Sequence, residues 1–159
     1  MIGKLAIVGP AATGKDYLRK SMEAKGLVFG VSTTTRPPRN TEVEGTDYYY
    51  VTNEKFDKLI SEDKFMEWQD FNGWKYGITK DEFEVCDVMI LNAEAVTLLK
   101  PEYRNRIFVI YLDIQEHVRR ERLGQRADTS DLIDRRINAD NTQFRNFLDF
   151  DCKITNEHF

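Results

Sequence analysis

The chain has 159 residues, 41% of them hydrophobic and 31% charged, a composition that excludes a disordered polymer and suits one compact core with a small inserted lobe. Its formal net charge of −4 argues against a protein that coats nucleic acid or any other polyanion. No run approaches the roughly 18 apolar residues of a membrane span, and the N-terminus lacks an apolar signal segment, so a cytoplasmic protein is expected.

Lys4 to Val8 is a short apolar run, as expected of a strand buried on both faces of a parallel sheet. Gly9-Pro10-Ala11-Ala12-Thr13-Gly14-Lys15-Asp16 follows, and a helix is expected from Asp16 to about Lys25 with Leu18, Met22 and Tyr17 inward. Strand, glycine-bounded loop and helix form the setting of a phosphate-binding loop. The glycines let backbone N–H groups turn toward phosphate oxygens, Lys15 adds a mobile charge, and the helix start adds its dipole. Asp16 departs from the hydroxyl residue expected at the last position. Gly26 is a plausible helix stop, and Leu27 to Phe29 reads as a second strand.

Ser32 to Arg39 changes the pattern. Its two prolines exclude helix, so Arg36 and Arg39 project from a stiffened loop that loses little entropy on clamping an anion. Gly45 turns into a tyrosine-rich strand, and Asn53 is placed to cap a helix to about Ser61 that buries Phe56, Leu59 and Ile60. Strands are expected over Lys64–Phe71 and Trp74–Gly77, joined by an Asn72-Gly73 hairpin turn. Then Asp87 to Leu91 reads as a core strand, with a helix from Ala93 to Leu99 that Pro101 helps to end. Ile107 to Leu112 is a further core strand, and a helix is expected from Gln115 to Leu123. Gly124 to Thr129 reads as a polar loop. Ser130 is placed to cap a helix from Asp131 to about Phe147, and Lys153 to Thr155 reads as a last strand. The rhythm is that of an α/β three-layer fold with a parallel core sheet.

Basic residues bunch at Arg36–Arg39 and from Arg119 to Arg136, which suits a small anionic ligand or a solvated helix face. Cys86 and Cys152 lack metal-ligand spacing and read as small buried hydrophobes in a reducing compartment. His117 and His158 are isolated and suggest no zinc site.

Taken together, these segments resemble the guanylate kinase family of nucleoside monophosphate kinases. Ser32-Thr33-Thr34-Thr35-Arg36-Pro37-Pro38-Arg39 carries the resemblance, with Glu42 to Tyr48, Glu67-Trp68 and Tyr76-Gly77. It implies a P-loop kinase core over 1–30 and 80–159, a lid near 124–131, and an acceptor lobe over 31–79. The implied reaction moves the γ-phosphate of ATP to GMP or dGMP with Mg²⁺, and residues 9–16 and Asn156 would touch ATP. Lys15, Arg126 and Arg136 would be catalytic, the last two as lid arginines, with Arg122 a weaker candidate. Arg36, Arg39, Tyr48 and Tyr76 would hold the acceptor phosphate. Ser32 and Glu67 would read guanine, with Thr79 and Glu94 nearby. From spacing alone Glu67 is also readable as a surface strand residue.

Several positions depart from the family pattern. Asp16 replaces the hydroxyl residue that binds Mg²⁺, and reads either as a metal ligand or as an acidic helix-start residue. Ile78 stands where the family has serine, and Asn92 and Glu94 where it has aspartates. The chain ends at Phe159, near where a C-terminal helix would begin, leaving apolar surface for other helices or a second subunit to cover; monomer and homodimer both stay open. Gly-Lys-Asp and Asn92 also resemble ribose 1,5-bisphosphate phosphokinases, which lack the Arg36-to-Tyr48 pattern. Inactive guanylate-kinase-like binding domains lose the phosphate loop, whereas Gly9, Gly14 and Lys15 are present here.

Overall fold

The computed structural model describes residues 3–126 and 130–159. A five-stranded parallel sheet runs in the order β2 (Phe29–Gly30), β7 (Val88–Ile90), β1 (Lys4–Val8), β8 (Ile107–Leu112), β9 (Cys152–Ile154). Alternation along β1 sorts the two faces. Ala6 and Val8 join Phe83, Val96, Val109 and Phe144 in one core, while Ile7 joins Leu112, Leu18 and Met22 in the other. The first core lies against α3 (Lys80–Val85), α4 (Ala93–Leu98) and α7 (Ser130–Phe144), and the second against α1 (Lys15–Glu23), giving helix, sheet and helix layers. Because β1 is central, the loop after it opens at the carboxyl ends of the strands, between β7 and β8.

Residues 31–79 form a second sheet, ordered β4 (Tyr49–Tyr50), β3 (Thr33–Thr34), β6 (Trp74–Thr79), β5 (Phe65–Phe71). The hairpin turn has Asn72 at φ 52° and Gly73 at φ 80°, the left-handed pair that matches strand twist. Helix α2 (Asn53–Ser61) covers this sheet through Phe56, stacked on Phe65 at 4.5 Å between ring centroids.

Local departures from expectation have simple causes. Thr52, not Asn53, caps α2, its hydroxyl accepting the Lys55 N–H at 3.2 Å. Tyr17 points outward at 66% exposure, its ring edge-on to Phe159, so only Leu18 and Met22 of the expected trio face the core. Helix α3 was not foreseen; six residues are too few to display a helical period. Pro101 opens a short helix, α5 (Pro101–Arg104), as its missing N–H permits at a first helical position. Helix α6 (Glu116–Gln125) runs past Leu123, with Arg126 at its end, and α7 stops at Phe144. Residues 127–129, the middle of the expected lid, lie outside the described residues, as does the side chain of Ser130, the expected cap. Cys86 is fully buried as expected, and Cys152 is half-buried; neither forms a disulfide. Among the described residues no helix is long and apolar enough to cross a membrane, and no cluster of metal-ligating side chains occurs.

Candidate functional site

The loop after β1 is held by close packing and by its own lysine. A Cβ on Gly9 would lie 2.8 Å from the Leu112 carbonyl and 2.8 Å from Thr13 Oγ1, so only glycine fits. Gly14 sits at φ 97° and Ala12 at φ 61°, the second an uncommon conformation for a residue with a Cβ. Thr13 is buried and its hydroxyl donates to the Pro10 carbonyl at 2.9 Å. Lys15 Nζ donates to the carbonyls of Gly9 at 2.6 Å and Pro10 at 2.8 Å. Its ammonium therefore lies across the loop, where a phosphate-binding cation is needed. Burial pushes the Lys15 amine down to about 8, against the opposing pull of Asp140 and Asp16.

A cavity of about 160 Å³ opens beside this loop, and Asp16, Arg19, Ser32, Arg36, Arg39, Tyr48 and Tyr76 contribute to its lining. Five of the expected acceptor residues thus meet in one place, and Asp16 joins them from the start of α1. Arg36 donates to Glu42 Oε1 at 2.7 Å and lies over the Tyr48 ring, 5.3 Å from its centroid. Tyr48 meets Tyr76 edge-on at 6.1 Å, and burial pushes the Tyr48 phenol up, so its hydroxyl is a proton donor near neutrality. Arg39 is exposed, its backbone N–H bonded to Glu42 Oε2 at 2.8 Å. Glu42 also accepts from Tyr50 Oη at 2.9 Å. Burial opposes its charge, but these three donors prevail and hold it down at about 2.

Glu67 does not line that cavity. It borders a second one, of about 230 Å³, together with Phe65, Met66, Trp68 and Leu98. Its Oε2 is buried without a hydrogen-bond partner, and burial pushes the carboxyl up to about 8, offset only by the Ile78 backbone N–H. An orphaned buried carboxyl costs free energy unless a ligand supplies donors.

Other expected residues lie further out. Thr79 caps α3, its hydroxyl accepting the Glu82 N–H at 3.2 Å. Asn92 caps α4 the same way through Ala95, which leaves Glu94 exposed in the first turn. Asn156 is exposed, its side chain accepting the His158 N–H at 3.0 Å. Arg126, at the end of α6, and Asp16 both act electrostatically on Lys15. Arg136 is half-buried on α7 and faces Asp140. Arg122 donates to the Ala12 carbonyl at 3.1 Å, directly on the loop.

Sequence reasoning missed three parts of the site. Glu42 appeared only within the family pattern, yet it gathers Arg36, the Arg39 backbone and Tyr50. Arg19 is 3% exposed, lies 4.5 Å over the Phe29 ring and pairs with Asp16, Glu23 and Asp47 at 3.2 to 3.6 Å. Its spacing of three from Asp16 and four from Glu23 was the only available signal. Asp140 accepts the Ala11 N–H across 129 positions of sequence, which no local pattern reveals.

Comparison with known proteins identifies the family and the fold. The guanylate kinase family model matches residues 3–159. A guanylate kinase of Wolinella succinogenes is 35% identical over 164 aligned residues, covering 96% of this chain and 75% of that protein. One from Thermosynechococcus vestitus is 31% identical, covering 96% and 85%. The crystal structure of guanylate kinase from Anaplasma phagocytophilum superposes with a TM-score of 0.73 at 23% identity, over 98% of this chain and 77% of that one, and so shares the P-loop fold. With a family match that runs from the phosphate loop through both sheets to Phe159, this chain belongs to the guanylate kinase family.

Proposed function

We propose that this chain transfers the γ-phosphoryl group of ATP to GMP or dGMP, releasing ADP and the nucleoside diphosphate. The observation that carries the reading is the shared edge at Asp16. The residue after the loop lysine also lines the cavity bounded by Arg36, Arg39, Tyr48 and Tyr76, so donor and acceptor phosphates would meet there. Phosphoryl transfer needs positioning and charge neutralisation more than covalent chemistry. Lys15 would leave the Gly9 and Pro10 carbonyls for the β- and γ-phosphates. Arg36, Arg39 and the two tyrosines would grip the acceptor, and Arg126 and Arg136 would close over the donor with Arg122, while Asn156 would touch the adenine. No general base is required, since the acceptor is already an ionised phosphate. The two free thiols suit a reducing compartment, and the reading puts the chain in the cytoplasm.

Magnesium fits the residues present. Asp16 is an exposed carboxylate beside the proposed phosphate path, with a side-chain exposure of 76%, and a hard cation accepts such an oxygen together with phosphate oxygens. Bound there, magnesium would neutralise charge on the β- and γ-phosphates. Asp16→Ser is therefore expected to bind metal-free ATP more tightly than the parent, because a carboxylate facing phosphate is removed. Titrating ATP with and without EDTA against both proteins tests this; equal affinities in all four titrations would make Asp16 only a helix-start acid.

An ADP-release assay with GMP, dGMP, AMP, UMP and ribose 1,5-bisphosphate tests the reaction itself. Turnover is expected with the guanine acceptors, and turnover with ribose 1,5-bisphosphate alone would transfer the chain to the sister activity. Guanine offers two donors, N1–H and the exocyclic amine, which match the orphaned Glu67 carboxyl in its ionised form; Glu67 borders the second cavity, so this reading puts the base beyond the cavity that takes the phosphate, and adenine would offer an acceptor at N1 instead. Because burial holds Glu67 protonated up to about 8, kcat/KM for GMP at saturating ATP is expected to rise with pH toward that value. Glu67→Gln should abolish the rise and weaken GMP by about 1–3 kcal/mol. The linkage sign gives a second readout. A carboxyl with a raised folded pKa makes the ligand-free protein less stable as pH climbs from about 4.5 to about 8. Glu67→Gln should remove that loss, and a parallel pH–stability curve in the variant would contradict the assignment.

A further inference from the structure

One buried carboxylate touches the phosphate loop and is not used by the transfer chemistry above. Asp140 is 7% exposed, and its Oδ2 accepts the Ala11 N–H at 3.0 Å and meets Arg119 Nη1 at 3.4 Å. Arg119, itself 4% exposed, also donates to the Ile114 carbonyl at 3.2 Å and to Asn141 Oδ1 at 3.4 Å. The pair therefore binds the loop to α6, which carries Arg119, and to α7, which carries Asp140. A carboxylate aimed at an anion-binding loop repels phosphate, so its place there calls for a compensating role. The neighbouring backbone supplies one. Ala12 sits at φ 61°, and such a conformation persists only where its surroundings over-determine it. Asp140 holds the N–H of the preceding residue, and Arg122 holds the Ala12 carbonyl at 3.1 Å.

We propose that Asp140, braced by Arg119, is a positioning residue that holds the phosphate loop in its nucleotide-binding shape from the lid-side helix. The proposal rests on the phosphotransfer reading for its meaning, but not for its test. Burial pushes the Asp140 carboxyl up, and the Ala11 N–H, Lys15, Arg119 and Arg136 oppose that rise.

The experiment measures ADP affinity of the full chain by calorimetry at neutral pH, beside KM for GMP and thermal midpoints. Asp140→Ala removes the acceptor and the charge, and is expected to weaken ADP roughly five- to tenfold with KM for GMP unchanged. Asp140→Asn keeps an acceptor for Ala11 and loses only the charge. It should recover most of the affinity, because the Ala11 N–H keeps its partner. ADP affinities that stay equal or tighten in both variants overturn the proposal. So does a parallel weakening of ADP and GMP that follows the fall in thermal midpoint, because a general brace would do that. Should Asp140→Ala not fold, Asp140→Glu decides alone: the longer carboxylate keeps the charge but displaces the acceptor from the Ala11 N–H, so ADP should weaken with KM for GMP unchanged, and an unchanged ADP affinity counts against the proposal. Since ADP binding needs no acceptor, a failed GMP assay with an intact ADP response would reject the proposed reaction and leave the positioning role standing.

Discussion

Lys15→Ala is expected to lower kcat by about 10²–10³, equivalent to ~3–4 kcal/mol of charge stabilisation at the transferring phosphate. The fold should survive. Lys15 Nζ hydrogen-bonds the Gly9 and Pro10 carbonyls, whereas the loop's shape is set by Gly9 against Leu112, by the Thr13 hydroxyl and by Asp140. Removing the side chain thus leaves two carbonyls to water. The pH dependence provides an independent check. A lysine whose folded pKa is depressed to about 8 loses its charge as pH rises through that value, so kcat/KM for ATP at saturating GMP should fall above it. That limb is opposite in sign to the Glu67 rise and is read with the other substrate varied. A Lys15→Ala enzyme with near-normal kcat and an unchanged alkaline limb would remove the loop from the mechanism.

The legible parts of this molecule are those in which local physics and tertiary structure agree. Leu5 to Val8 is apolar without interruption because β1 lies between two strands and two helical layers, and Asn72-Gly73 adopts the positive φ values its composition favours. The loop was legible for the same reason, as glycines mark where a Cβ does not fit. Helix α3 escaped because one and a half turns carry no period. Its start signal, Thr79 with Glu82 three residues on, lay at a position expected to touch the base. The site's buried ion pairs were hidden for a different reason. Arg119 sits among Arg120 and Arg122 in what reads as a solvated basic helix face, yet Arg120 is paired outward with Glu116 and Asp134 while Arg119 is buried against Asp140. Which arginine of a run turns inward is decided by how α6 docks on α7, and sequence spacing alone leaves that open. Arg19 shows the same limit. Its burial depends on Asp47, contributed by the loop that follows Gly45 in the other sheet.

Arg36→Ala is expected to raise KM for GMP by about 30- to 150-fold, or about 2–3 kcal/mol, the usual worth of a buried charge-assisted contact. KM for ATP should change little, because Arg36 lines the acceptor cavity and its guanidinium bonds to the Pro37 carbonyl and Glu42. Part of the effect acts through Glu42. Without Arg36 that carboxylate keeps the Arg39 N–H and the Tyr50 hydroxyl, but its Oε1 loses its charged partner beside the site where an anion must bind. Uncompensated negative charge there opposes the acceptor phosphate, so alanine should do more harm than the loss of one hydrogen bond. The double variant Arg36→Ala, Glu42→Gln separates the two contributions: it should recover part of the GMP affinity by removing the repulsion while leaving the lost contact unrepaired. Arg36→Lys should remain poor, since an ammonium has no planar fork to serve Glu42, the Pro37 carbonyl and a phosphate together. Equal rises in KM for GMP and ATP in Arg36→Ala, or no recovery in the double variant with Tyr48 and Tyr76 intact, would mean that Arg36 shapes the lobe and leaves the phosphate to other groups.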